Sequence, residues 1–275
     1  MLETTWFVLW GLLWAVYFVL DGFDFGMGTL LPFLAKNDEE KRIIYNAAGP
    51  YWDGNEVWLI TAGGVTFAAF PKAYAVMFSA LYAPLLILLF ALIFRAVSFE
   101  FRNKKDCPQW RKFWDACQFL GNFLPALLLG VAFANLFMGI PIDGNGVYHG
   151  NIIKLLNPYG LAGGIFFVLI FCMHGALWLA LKSEGGNHDR AVGAAQVVWP
   201  LVLAVALLFL ALTAFYTNLY ANYAEHPTLL VFPILAVASL LTVRVMIWAD
   251  NLLGAWFFSA LFIITVTFFG VLGMY

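Results

Sequence analysis

Asp21-Gly22-Phe23-Asp24-Phe25-Gly26-Met27-Gly28 sets two carboxylates three residues apart inside an apolar stretch running from about Thr5 to Leu34. An acid at the centre of a spanning helix costs ~2.5–3.5 kcal/mol on insertion scales, so each one needs a protein or water partner. At ~100° per residue, Asp21 and Asp24 share one helix face. Gly22 and Gly26 fall nearly opposite, where a four-residue glycine spacing lets another backbone approach closely. Gly28 lies on the acid face and is expected to leave room there for water. Such a helix belongs inside a bundle, and its acids read as an intramembrane site for protons or cations.

The rest of the chain agrees with that setting. It is 63% hydrophobic and 11% charged, with mean hydropathy +0.86. No soluble core of 275 residues buries so much apolar surface, so the fold class is an all-α polytopic membrane protein. Fourteen Lys and Arg against sixteen Asp and Glu give no electrostatic reason to expect nucleic acid. Met1-Leu2-Glu3 lacks a basic n-region and the first span carries acids, which argues against a cleaved signal peptide. Cys107, Cys117 and Cys172 show no CxxC spacing, so neither a disulfide framework nor an iron–sulfur site is supported.

Apolar runs of spanning length fall at roughly 5–34, 57–71, 73–95, 113–140, 158–181, 194–217, 228–247 and 253–274, about eight helices. The second is short and is expected to begin inside the polar turn before it. Charged, basic, Gly/Asn-rich and polar loops are expected at 36–49, 95–112, 141–157 and 182–193. Lys36, Lys41, Arg42, Arg95, Arg102, Lys104, Lys105, Arg111, Lys112, Lys182, Arg190 and Arg244 then share one side, and only Lys72 and Lys154 take the other. This asymmetry places the N-terminus outside the cell and, after eight spans, Tyr275 as well. The domain reading is a four-helix bundle over 1–140, an outer loop over 141–157 and a second four-helix bundle over 158–275. Gly175 and Trp199-Pro200 loosely echo Gly22 and Pro50-Tyr51-Trp52, which invites a pseudo-repeat.

Several motifs carry two readings. Asn37-Asp38-Glu39-Glu40, followed by Ile43, Ile44 and Ala47, reads as a capped amphipathic surface helix. Asp53 and Glu56 have the spacing of a capping box, and Asp53 at the inner mouth of a helix is also placed to collect protons. Arg95 is either a snorkelling cation or the counter-ion of the acids. His174 is the histidine set well inside a span. It either hydrogen-bonds between helices or supplies one axial haem ligand, and the histidine count excludes clustered copper or zinc centres. Asn122 and Pro125, with Asn135 further on, suggest a kinked helix with polar contacts.

The aspartate motif at 21–26 joined to Trp52-Asp53-Gly54-Asn55-Glu56-Val57-Trp58 resembles subunit II of the cytochrome bd-type quinol oxidases. The likeness continues through Phe94-Arg95, Gly130-Val131-Ala132-Phe133-Ala134-Asn135 and Leu155-Leu156-Asn157-Pro158-Tyr159-Gly160-Leu161. It is close over the first 165 residues and carried mainly by hydropathy beyond them. The resemblance implies two four-helix bundles plus a peripheral ninth helix, in the bacterial inner membrane, beside a subunit I that carries haem b and haem d. A small single-helix subunit and a structural quinone also occur in the family. The complex would oxidise quinol and reduce dioxygen to water. This chain would stabilise the assembly and line a cytoplasmic proton route through Asp53, Asp21 and Asp24, with Glu56 the weaker match. It would supply no catalytic group and hold no haem or metal of its own. The sequence stops at Tyr275, directly after its eighth span, so the ninth helix is expected to be missing. An autonomous H⁺- or Na⁺-coupled transporter and a purely structural assembly subunit are the competing readings of the same acids.

Overall fold

The acid-bearing stretch lies in one long helix, α1 (Leu2–Leu34), in a computed structural model that describes residues 2–275. A short helix, α2 (Asp38–Ala48), follows, started by Asn37, whose side chain accepts from the Glu40 amide. It buries Ile44, Tyr45, Ala47 and Ala48, the amphipathic face expected of it. Helix α3 (Trp52–Ala69) then returns antiparallel to α1: Asn55 reaches Asp24 and Thr66 reaches Trp10. As the pattern suggested, it begins within the polar turn.

The next stretch departs from the expected single span over 73–95. It forms a ten-residue helix, α4 (Pro71–Ala80), a break at Leu81, and then α5 (Tyr82–Phe101). Pro84 explains the break. It has no N–H for the carbonyl of Ala80, and its ring would collide there if one helix ran through. The spanning segment is therefore α5, and Arg95 lies inside it rather than in a basic loop. Helix α6 (Pro108–Met138) follows a short connection, so the expected loop at 95–112 shrinks to 102–107.

Beyond the 141–157 segment, which holds the one-turn helix α7 (Ile152–Leu155), come α8 (Pro158–Lys182) and α9 (Gly185–Tyr216). The polar run at 182–193, expected as a loop, is mostly the first turns of α9. Arg190 Nε donates to the Leu34 carbonyl at 2.6 Å and Asn187 Nδ2 to the Glu40 carbonyl at 3.1 Å. These bonds dock the polar turns on the chain and so supply the partners a helix outside the bilayer needs. The short α10 (Leu219–Glu225), α11 (Val231–Trp248) and α12 (Leu252–Gly273) complete the chain.

Among the described residues, seven helices are long and apolar enough to cross a membrane: α1, α5, α6, α8, α9, α12, and α11 with the 3₁₀ turn before it. The expected span at 57–71 is not among them: α3, eighteen residues long, packs antiparallel along α1 and carries the polar groups of its first turns. Helix α1 sits centrally, against α3, α6, α8 and α12. Its seam with α8 depends on glycine. A Cβ on Gly26 would enter the Phe171 carbonyl, and one on Gly175 would lie 2.5 Å from the Met27 nitrogen. The predicted close backbone approach is thus made by α8, while the Phe171 ring fills the space over Gly22.

A buried charge network as the candidate functional site

Arg95 and Asp21 are both fully buried, at 0% exposure. The guanidinium donates through Nη1 to Asp21 Oδ1 at 2.7 Å and through Nη2 to Oδ2 at 3.2 Å. This two-point pairing is the strong form of an arginine–carboxylate contact. Nη2 also donates to Glu56 Oε2 at 3.0 Å, and the guanidinium carbon stands 4.8 Å from the Phe25 ring centroid. Of the two readings of Arg95, the structure shows the counter-ion. One cation thereby joins α1, α3 and α5.

Asp24 takes a different partner. Asn55 Nδ2 donates to its Oδ2 at 2.8 Å, while Oδ1 is buried with no hydrogen-bond partner. The room expected beside Gly28 is filled: a Cβ there would run into the Asn122 side chain. Asn122 Nδ2 donates to the Gln118 carbonyl at 2.6 Å, and its Oδ1 has no partner. Space beside Asp24 opens instead toward α2 and α6, in a cavity with about 10 Å³ open to the centre of a water molecule. Asp24, Gly28, Ile44, Tyr45, Ala48 and Gln118 help to line it.

A second cluster lies at the basic end. Arg102, 1% exposed, donates through Nε to Asp115 Oδ1 and through Nη2 to Asp38 Oδ1, each at 2.6 Å. Lys41 Nζ reaches Asp115 Oδ2 at 2.8 Å, and the Tyr45 hydroxyl donates to Asp115 Oδ1 at 3.3 Å. Burial alone would raise the Asp38 carboxyl, but the bond to Arg102 and its charge hold it below the usual range.

The sequence candidates therefore divide. Asp21, Asp24 and Glu56 converge on Arg95 and Asn55, while Asp53 stands exposed in the first turn of α3. The capping box is not formed: Tyr51 is the N-cap, no side chain caps the helix, and Glu56 is turned to Arg95. His174 is buried with both ring nitrogens engaged, Nδ1 with Ser259 Oγ at 2.5 Å and Nε2 with the Val19 carbonyl at 3.1 Å. That is the interhelical reading. Among the described residues, no three His, Cys, Asp or Glu side chains are grouped to hold a metal. Asn55, Gln118, Tyr45 and Asp115 were not singled out in the sequence. A polar stripe on α6, Asp115, Gln118 and Asn122 at three- and four-residue spacing, was the signal for part of that set.

Fold and site together define a polytopic helical membrane subunit with charge enclosed in its interior. The profile of the cytochrome bd terminal oxidase subunit II family matches residues 2–275, and the chain belongs to that family. It is 41% identical over 224 residues to cytochrome bd ubiquinol oxidase subunit 2 of Bacillus subtilis, covering 82% of this chain and 66% of that protein. It is 44% identical over 200 residues to cytochrome bd-I ubiquinol oxidase subunit 2 of Escherichia coli K12, covering 71% of this chain and 53% of that protein. The chain thus spans about half to two thirds of these relatives. The solved bd oxidase of Geobacillus thermodenitrificans superposes with a TM-score of 0.81 over 99% of this chain and 84% of that one, at 17% identity, a likeness of fold.

Proposed function

We propose that this chain acts as subunit II of a quinol-oxidising, dioxygen-reducing cytochrome bd-type oxidase in the bacterial inner membrane. Its partner would be a haem-bearing subunit I, with the quinol pool as electron source and a small single-helix subunit as a further partner. Its own part is to brace that partner and to line a proton route from the cytoplasm, with Asp53 at the mouth and Asp24 and Asp21 within. The N-terminus and Tyr275 lie on the periplasmic side in this reading, supported by the Lys/Arg asymmetry. In this reading the chain divides into bundles over 1–140 and 158–275, joined by the outer loop at 141–157.

One observation carries the reading: Asp24 is a buried carboxylate with one bonded oxygen and one free, beside an acid fixed by arginine. Asp21 is committed to Arg95, which suits positioning. Asp24 has an oxygen to spare, which suits passing a proton. The family's structural quinone finds a partial fit in an apolar cavity of about 120 Å³ lined by Phe18, Phe133, Phe166, Leu203 and Leu240. It suits an isoprenoid tail, whereas only Thr267 among the lining side chains is polar enough to meet a quinone ring.

The test is Asp24→Asn in the assembled oxidase purified through a tag on this chain. Haem content should persist, and quinol oxidase turnover should fall at least about tenfold, ~1.4 kcal/mol on the barrier. Full turnover in a haem-replete variant removes Asp24 from the route. Purification of the wild-type chain without haem absorption removes the oxidase reading.

A further inference from the structure

We infer that a second proton inlet, separate from Asp53, reaches Asp24 from the basic end through Asp115, Tyr45 and Gln118. The inference rests on the proton-route reading above and concerns residues that reading does not use.

The contacts form a column. Asp115, 11% exposed at its side chain, holds the outer end between Arg102 and Lys41. The Tyr45 hydroxyl is shared between its Oδ1 at 3.3 Å and the Trp114 carbonyl at 3.4 Å. The single Ser98 hydroxyl proton is shared between Gln118 Oε1 and the Arg95 carbonyl. Gln118 and Tyr45 line the small cavity, and Asp24, with its unpartnered Oδ1, lines the same cavity from α1. A volume of that size at the water centre holds about one water, which needs two to four polar partners. Asp24, Tyr45 and Gln118 are the lining residues whose side chains are polar. Proton passage through an apolar interior requires such an unbroken series of hydroxyl, carboxyl and water groups.

The steps balance without any further reagent. A proton arriving at Asp115 passes to the Tyr45 oxygen as the Tyr45 hydroxyl, turned away from Asp115, gives its own proton to the enclosed water, and that water gives one of its own to Asp24. Each O–H bond broken is matched by one formed: Asp115, Tyr45 and the water end as they began, and Asp24 ends as the neutral acid. Burial pushes the Tyr45 phenol up, so it remains a hydroxyl donor throughout. Gln118 acts as a positioning residue, holding the water between Tyr45 and Asp24.

The experiment compares Asp53→Asn, Gln118→Leu and their combination in the purified, haem-containing complex. Each single variant should lower turnover about twofold, since the other inlet remains. The combination should lower it at least about tenfold, toward the level of Asp24→Asn. Replacing Leu by Glu at position 118, as Gln118→Glu on the Asp53→Asn background, should restore the single-variant rate, a recovery that packing alone would not give. Tyr45→Phe removes one oxygen while keeping the ring against Phe99 and Arg102, so it replaces Gln118→Leu should that variant fail to assemble. A combination no slower than Asp53→Asn alone, with Asp24→Asn still slow, overturns the second inlet and leaves the route through Asp53. Wild-type turnover in Asp24→Asn overturns both.

Discussion

Arg95 meets two carboxylates with one guanidinium, so its removal exposes charge in two places. A buried ion pair adds little over a well-packed apolar substitute, yet losing one partner strands the other. Arg95→Met is therefore expected to destabilise the subunit by ~3–5 kcal/mol, read as lost thermal stability of the detergent-solubilised complex. Asp21→Asn combined with Arg95→Met should recover part of that loss, because the stranded charge on Asp21 is gone while Glu56 keeps its 24% side-chain exposure to water. Equal stability of the single and the combined variants would show that Asp21 is not the group Arg95 compensates. The two aspartates were legible in the sequence because acids in an apolar run stand out. Their partners were harder to find. Arg95 lies 74 residues from Asp21 in the chain, and its apolar flanks fit a snorkelling cation equally well. Glu56 has capping-box spacing, and only the approach of α5 turns it away from the helix end.

Helix seams set the next level of behaviour. Gly26 allows α1 and α8 to touch through their backbones, and a methyl group there has nowhere to go. Gly26→Ala should cost at least ~1–3 kcal/mol as overpacking. Gly193, in the interior of α9 with nothing within 4 Å of its added Cβ, should behave oppositely. Gly193→Ala is expected to gain up to ~1 kcal/mol from helix propensity alone. Paired melting curves of the two variants decide the matter, and a neutral Gly26→Ala would mean that α1 and α8 can part without loss. The seam was foreseeable from the four-residue spacing of Gly22 and Gly26, though not its partner. The division of 71–101 at Leu81 was also written in the chain, in Pro84, but hydropathy averaged across it. The extension of α9 back to Gly185 was not legible. Its first turns are polar and glycine-containing, and they are held by carbonyls of Leu34 and Glu40, more than a hundred residues earlier.

Across the whole molecule, strong acid is expected to loosen the segment joining α6 to α8. The His149 ring at 2.9 Å, with the Val147 and Asn145 amides, holds the Asp143 carboxyl down to about 2 from its ordinary 3.8. The folded value is the lower one, so this stabilisation is complete above about pH 4 and is lost as the pH falls through about 2. Amide exchange at Asn145 and Val147 should accelerate over that window, and Asp143→Asn should show the fast rate already at neutral pH. Unchanged exchange in the variant would sever the loop's order from that carboxylate. The separation of Asp21 from Arg95 also has a consequence for how the chain is made. With synthesis at ~5–20 residues per second, about 4 to 15 s pass between the two residues leaving the ribosome. Throughout that interval α1 has its acids without their cation, so it is a poor free-standing insert for the lipid. The insertion machinery must retain the first helix until the fifth arrives, and a nascent chain halted before Arg95 should remain crosslinkable to that machinery through α1.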